Sequence, residues 1–244
     1  MSDTKKWGWR GAGGFLFRLA LGIAFISPLI VGLCFSFQDE QTLGMYPLKL
    51  LVSNPTLENY GKVFTDIPIL LYLANTGIVC VTAIFFQIIL CSLAAYAFVF
   101  FEFPMKKILF SLVLTTTMIP GEVVVITNYT TIQNMDLINT YAGLVLPSLV
   151  SGASIFLMRQ YFLTIPKDYR EAATLDGCGN MGFFFHIVMP LSVPTLSSLV
   201  IYLFVQIYNQ FFWPLLVTNT DRMRTIQIGI SMLVTADVVD YGQI

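Results

Sequence analysis

Charge is scarce in this sequence. Only 11% of its 244 residues are Asp, Glu, Lys or Arg, against roughly 25% in a soluble domain. A chain so poor in charge cannot cover a folded surface with polar groups, which excludes a soluble enzyme and a disordered regulator. The 13 Lys and Arg balance 14 Asp and Glu, so no basic excess is available to hold nucleic acid. Histidine occurs once, at His186, with no second His or Cys at ligand spacing; no metal site is expected. The four cysteines, Cys34, Cys80, Cys91 and Cys178, show neither metal-ligand spacing nor a disulfide framework. Three fall in apolar runs, where a thiol packs as a small hydrophobe. The single Gly-Lys pair, Gly61-Lys62, is followed by Val63, so the chain has no phosphate-cradling loop and cannot itself hydrolyse ATP. No Ser/His/Asp arrangement is available either.

Apolar residues dominate instead, at 56% with 21 Phe. A bilayer core of about 30 Å is crossed by about 20 apolar helical residues. Five stretches qualify: 15–37, 73–101, 108–129, 141–163 and 191–217. Their unbroken apolarity excludes a membrane barrel, whose strands alternate apolar with polar residues. The fold class expected is an all-α integral membrane protein.

Charge placement orients the spans. With the N-terminus inside, the cytoplasmic segments hold Lys5, Lys6, Arg10, Arg18, Lys106, Lys107, Arg159, Lys167 and Arg170. The external segments hold Lys49, Lys62, Arg222 and Arg224. This excess favours a cytoplasmic N-terminus. Arg18 and Arg159 stand near span ends and can snorkel to headgroups. The first span is too long for a signal peptide and lacks a small-residue cleavage site. The expected divisions are a tail over 1–14, a first helix over 15–37, an external loop over 38–70 and a membrane core over 71–244. The tail after the fifth span, 218–244, is too short and too polar for another crossing.

The loop between spans four and five, residues 165–190, is the most informative segment. Pro166 suits a first helical turn and Asp168 the positive end of the helix dipole. Gly177 can end that helix, and Asn180 can cap a second short one running into Phe183, Phe184 and Phe185. Ala173 and Gly177 leave a bare stripe edged by Glu171 and Asp176. Such a loop is either an interfacial linker or a docking element for a cytoplasmic partner.

Glu171-Ala172-Ala173, then Gly177, Ile187 and Pro190 at fixed spacings resemble the EAA loop of binding-protein-dependent ABC importer permeases. Met189 stands where that family usually has Leu, a volume-conserving exchange. Asp176-Gly177, Pro55 to Tyr60, Asn75-Thr76, Phe103-Pro104, Pro120-Gly121-Glu122, Asn139 to Gly143, Arg159 to Phe162 and Asn209 to Pro214 resemble its carbohydrate and glycerol-3-phosphate branch, nearest to the second permease subunit. The resemblance implies the type-1 importer permease fold, with six spans in this subunit, and hence a C-terminally incomplete chain. It implies that Glu171, Ala172, Ala173, Asp176, Gly177, Ile187 and Pro190 couple the spans to an ATPase. It implies four kinds of neighbour in a prokaryotic inner membrane: a second permease, two ATPase subunits, an extracytoplasmic solute-binding protein and the bilayer. ATP and Mg would be bound by the ATPase, and this chain would hold no cofactor. The rival reading is a stand-alone secondary transporter or channel for a small polar solute, which needs no docking helix.

Polar groups within the spans are candidate pathway residues. Glu122 lies beside Pro120-Gly121 in span three, where an acid marks either a structural repair of a broken helix or a gate. Tyr202, Gln206, Asn209 and Trp213 fall at steps that share one helix face. They form either interhelical hydrogen-bond glue or a pathway wall. Beyond them, Asn219, Asp221, Arg222 and Arg224 lie in an external segment that, in related importers, reaches toward the docked binding protein. The arginines run against the positive-inside bias.

Overall fold

The structure is a computed structural model and describes residues 9–39, 42, 52 and 55–235. Parts of the expected N-terminal tail, of the 38–70 loop with Lys49, and of the segment after the fifth span lie outside the described residues. All regular structure among the described residues is helical. The chain divides into two compact units, residues 1–69 with 230–244, and residues 70–229.

In the first unit, α1 (Trp9–Ser36) carries an apolar stretch, Gly13–Ser36, long enough to cross a bilayer. Its side chains are almost all exposed within the chain. Helix α2 (Glu58–Asp66) packs at its exit. Buried Asn59 donates from Nδ2 to the carbonyls of Ser36 (3.1 Å) and Gln38 (2.7 Å). The Tyr60 hydroxyl meets Ser36 Oγ at 2.9 Å, and its ring lies 5.6 Å from that of Phe37. The Pro55–Tyr60 motif thus fastens the chain as it leaves α1.

The second unit is built on α3 (Ile69–Phe100), a 32-residue helix without proline. The spans that follow are all bent. Helices α4 (Lys106–Thr116) and α5 (Gly121–Asn134) meet at 97°. Pro120 disfavours helix at Ile119 and removes a donor. Thr115, Thr116 and Thr117 turn their hydroxyls back onto the carbonyls of Ser111, Val113 and Leu114 at 2.7–2.9 Å. Those bonds satisfy backbone that a bilayer cannot. Helix α6 (Tyr141–Val145) continues as a tighter turn over Leu146–Ser148 and meets α7 (Gly152–Phe162) at 51°. Next come α8 (Lys167–Leu175), α9 (Asn180–Phe183), a π-helical turn over Phe184–Val188 and α10 (Met189–Leu191). The stretch Asn180–Leu191 bends by 76° into α11 (Val193–Tyr208), where buried Ser192 donates to the Val188 carbonyl at 2.6 Å. Helices α12 (Phe212–Val217) and α13 (Ile226–Thr235) complete the described chain.

Among the described residues two helices are long and apolar enough to cross a membrane, and up to five spans result if each bent pair is one crossing. The expected fifth span over 191–217 is not one helix: α11 stops at Tyr208, and the separate short helix Phe212–Val217 follows. Helix α7 crosses α4 closely at Gly152, where an added Cβ would lie 2.7 Å from the Val113 carbonyl oxygen and 2.8 Å from Thr116 Oγ1. Gln87 bonds Ser154 at 3.1 Å in the buried seam between α3 and α7.

Candidate functional site

Helix α8 begins after Pro166, which is its N-cap residue rather than part of its first turn. It ends at Asp176, with Gly177 at φ +76°. The Cys178 amide reaches the Ala173 carbonyl at 2.8 Å and the Gly177 amide the Thr174 carbonyl at 3.1 Å, the paired closure of a Schellman end. Glu171, Ala172, Asp176 and Gly177 are exposed, and so is Leu175, at 89%. Ala173 is not: it is 4% exposed and belongs to the core, so the bare stripe expected over Ala173 and Gly177 is turned half inward. Ile187 is half-buried and Pro190 exposed.

Arg170, which the motif does not single out, anchors this helix. Its guanidinium donates to the Phe100 carbonyl at the end of α3. It lies 5.7 Å and 5.8 Å from the ring centres of Phe100 and Phe101, within cation–π reach. It also reaches Asn180 Oδ1 at 3.5 Å, while the buried Tyr96 hydroxyl donates to the Asn180 carbonyl at 2.9 Å. Asn180 therefore ties both limbs of the loop to α3 and does not cap α9; the N-cap residue there is Gly179. A cleft of about 660 Å³ opens beside this joint, lined by Phe100, Glu102, Phe162, Lys167, Arg170 and Glu171 among others. Its lining mixes apolar side chains with both signs of charge.

A second constellation gathers at the other end of α3. Asn75, 1% exposed, donates from Nδ2 to the carbonyls of Arg222 and Arg224, both at 2.9 Å, and accepts the Tyr141 hydroxyl at 2.6 Å. The Ile226 amide donates to Thr76 Oγ1 at 2.9 Å. Asn139, at φ +62°, accepts on Oδ1 from the amides of Asn219 (3.1 Å) and Thr220 (3.2 Å) and from Thr220 Oγ1 (3.0 Å). The four expected contact residues, Asn219, Asp221, Arg222 and Arg224, therefore sit on one pinned loop. Arg224 is engaged inside it, 2.6 Å from Asp221, whereas Arg222 is exposed.

The expected polar face divides. Tyr202 and Gln206 are exposed on α11, and Asn209 follows at its C-terminal cap. Trp213 lies on α12, is 8% exposed and donates from Nε1 to the Gly143 carbonyl at 3.2 Å. The helix break at Asn209–Phe211 ends the common face, so Trp213 serves packing within the chain. Glu122 is exposed in the first turn of α5, at the 97° corner. There the helix dipole favours its charge. Among the described residues no group of His, Cys, Asp and Glu could hold a metal ion.

Residues 87–238 match the profile of the family described as "Binding-protein-dependent transport system inner membrane component". The chain belongs to that family. It is 37% identical over 195 residues to the sn-glycerol-3-phosphate transport system permease protein UgpE of Rhizobium meliloti (strain 1021), covering 77% of this chain and 69% of that one. To the protein of the same name in Brucella abortus (strain 2308) it is 35% identical over 224 residues, covering 88% and 79%. A solved bacterial ABC transporter involved in the import of the acidic polysaccharide alginate shares the fold, with TM-score 0.84 at 18% identity over 96% of this chain and 83% of that one. The chain is thus a permease component of an ABC importer, a multi-pass inner-membrane protein and not an enzyme.

Proposed function

We propose that this chain is the second permease subunit of an importer for a sugar or a glycerol-3-phosphate-like solute. It pairs with another permease, receives solute from an extracytoplasmic binding protein and is driven by two cytoplasmic ATPase subunits, which hold the ATP and Mg. The names of its relatives in Rhizobium, Brucella and Yersinia support the solute class.

The observation that carries the reading is the coupling loop. Helix α8 offers an exposed acid, Glu171, beside an exposed Leu175, and is held by Arg170 to the end of a span. Glu171 and Leu175 stand on a face that the rest of the described chain does not cover. Glu171 pairs with a basic group of the ATPase, with Ala172, Asp176 and Gly177 forming the contact and Ala173, Ile187 and Pro190 shaping the loop behind it. When the ATPase closes, α8 moves and α3 moves with it. Tyr202, Gln206 and Asn209 face the solute path or the partner permease, and Glu122 contributes at the corner of the broken span. The loop carrying Asn219, Asp221 and Arg222 meets the binding protein, Arg222 facing its carboxylates, while Arg224 acts through its pair with Asp221. The N-terminus and α8 lie in the cytoplasm.

Uptake of labelled sn-glycerol-3-phosphate by the assembled importer, competed with unlabelled sugars, tests the solute. Glu171→Lys tests the coupling: membrane insertion stays intact, co-purifying ATPase falls and uptake drops to background. Normal uptake in this variant overturns the docking assignment.

A further inference from the structure

An external loop that must meet a partner has two ways to do so. It can be slack and order on contact, or it can be held in its docking shape beforehand. The 218–226 loop is held. Its start is fixed by Asn139, which accepts three hydrogen bonds from Asn219 and Thr220 on one carbonyl oxygen. The Asn139 amide also donates to the Val217 carbonyl at 2.7 Å. Its far limb is fixed by Asn75, which donates to two carbonyls, and by Thr76, which receives the Ile226 amide.

Asn139 is the costly member of this set. It sits in the left-handed region at φ +62°, which asparagine tolerates better than most residues. Glycine would adopt that backbone with less strain but would supply no acceptor. The side chain is therefore what the position requires. It is exposed to no catalytic chemistry and touches no expected contact residue except through the loop backbone at Asn219.

We propose that Asn139 is a positioning residue for binding-protein docking: it presets the 218–226 loop so that docking does not have to order it. The inference rests on the reading that this loop meets the binding protein. Preorganisation lowers the entropy lost on association without adding a contact. Releasing the loop should therefore weaken docking while leaving the saturated complex competent.

Asn139→Gly keeps the backbone conformation and removes the acceptor; Asn139→Asp keeps both. Hydrogen exchange of the 217–226 segment is followed with the importer in nanodiscs. Exchange should quicken in Asn139→Gly and return to the parental rate in Asn139→Asp. In the same importer, ATPase stimulation is titrated with loaded binding protein. Asn139→Gly should raise the half-saturating concentration about fivefold with the maximal rate retained, and Asn139→Asp should restore it. Arg222→Glu is the control for the contact itself and should raise half-saturation at low salt more than at high salt. Unchanged exchange in Asn139→Gly overturns the anchoring. Quickened exchange with unchanged half-saturation, where Arg222→Glu does shift it, overturns the positioning role and leaves the contact standing. No shift in either variant overturns the contact and the proposal with it.

Discussion

Gly177 has two possible reasons to be glycine, and the structure separates them. An added Cβ would meet nothing within 4 Å, so packing inside the chain does not demand glycine. The backbone does, at φ +76°. An L-residue there costs about 1–2 kcal/mol, and asparagine costs less than alanine because it tolerates this conformation. If backbone conformation is the requirement, Gly177→Asn should retain more uptake than Gly177→Ala. If a partner's backbone approaches the position closely, both should lose uptake alike, and Gly177→Trp should abolish it at normal chain levels. Uptake and ATPase co-purification across the three variants decide between these. Arg170 shows the complementary lesson: a residue outside the motif's fixed positions holds the helix on which the motif sits.

Helices in this chain end where proline and small polar residues meet. At the α4–α5 corner three threonines, and at the α10–α11 bend Ser192, turn hydroxyls back onto carbonyls of the preceding turn. Polar backbone near a break in lipid needs partners, and the hydroxyls add to those that the Leu114 and Val188 carbonyls already have from the Thr117 and Ser192 amides. Close crossing of α4 and α7 depends on the missing side chain of Gly152. Gly152→Leu would drive carbon into the Val113 carbonyl and the Thr116 hydroxyl. Overpacking of this kind costs typically about 1–3 kcal/mol. The variant should insert but melt several degrees below the parent in detergent, and Gly152→Ala should fall between them. A parental melting temperature for Gly152→Leu would mean that the two helices do not cross this closely.

In the 70–229 unit, α3 carries a joint at each end. Asn75 holds the 222–224 backbone, and the Phe100 carbonyl holds Arg170. Twenty-five residues of uninterrupted helix separate the two, about 37 Å at 1.5 Å per residue. That exceeds the roughly 30 Å of a hydrocarbon core, so the proposed topology sets the two joints on opposite sides of the membrane. Single cysteines at 171 and 222 on a cysteine-free background should therefore label from opposite sides, with position 171 reached only from the cytoplasm. Labelling of position 171 from outside would reverse the orientation and remove the coupling mechanism.

What was legible in the sequence is what depends on sums and on local spacing. Low charge and long apolar runs give a helical membrane protein because the bilayer accepts little else. The loop motif was legible because its residues lie within one short segment, and Gly177 because a helix end can be read from its neighbours. The tertiary structure decided the rest. It turned Ala173 inward, ended the polar face before Trp213, and placed Asn180 as a tie rather than a cap. It also brought Asn75 to Arg222 across 147 residues of sequence and Asn139 to Thr220 across 81. Periodicity carries no information about such pairs, because it repeats along one helix and stops at each break. Which carbonyl a buried asparagine reaches is set by how separate helices pack, and that is a property of the folded chain alone.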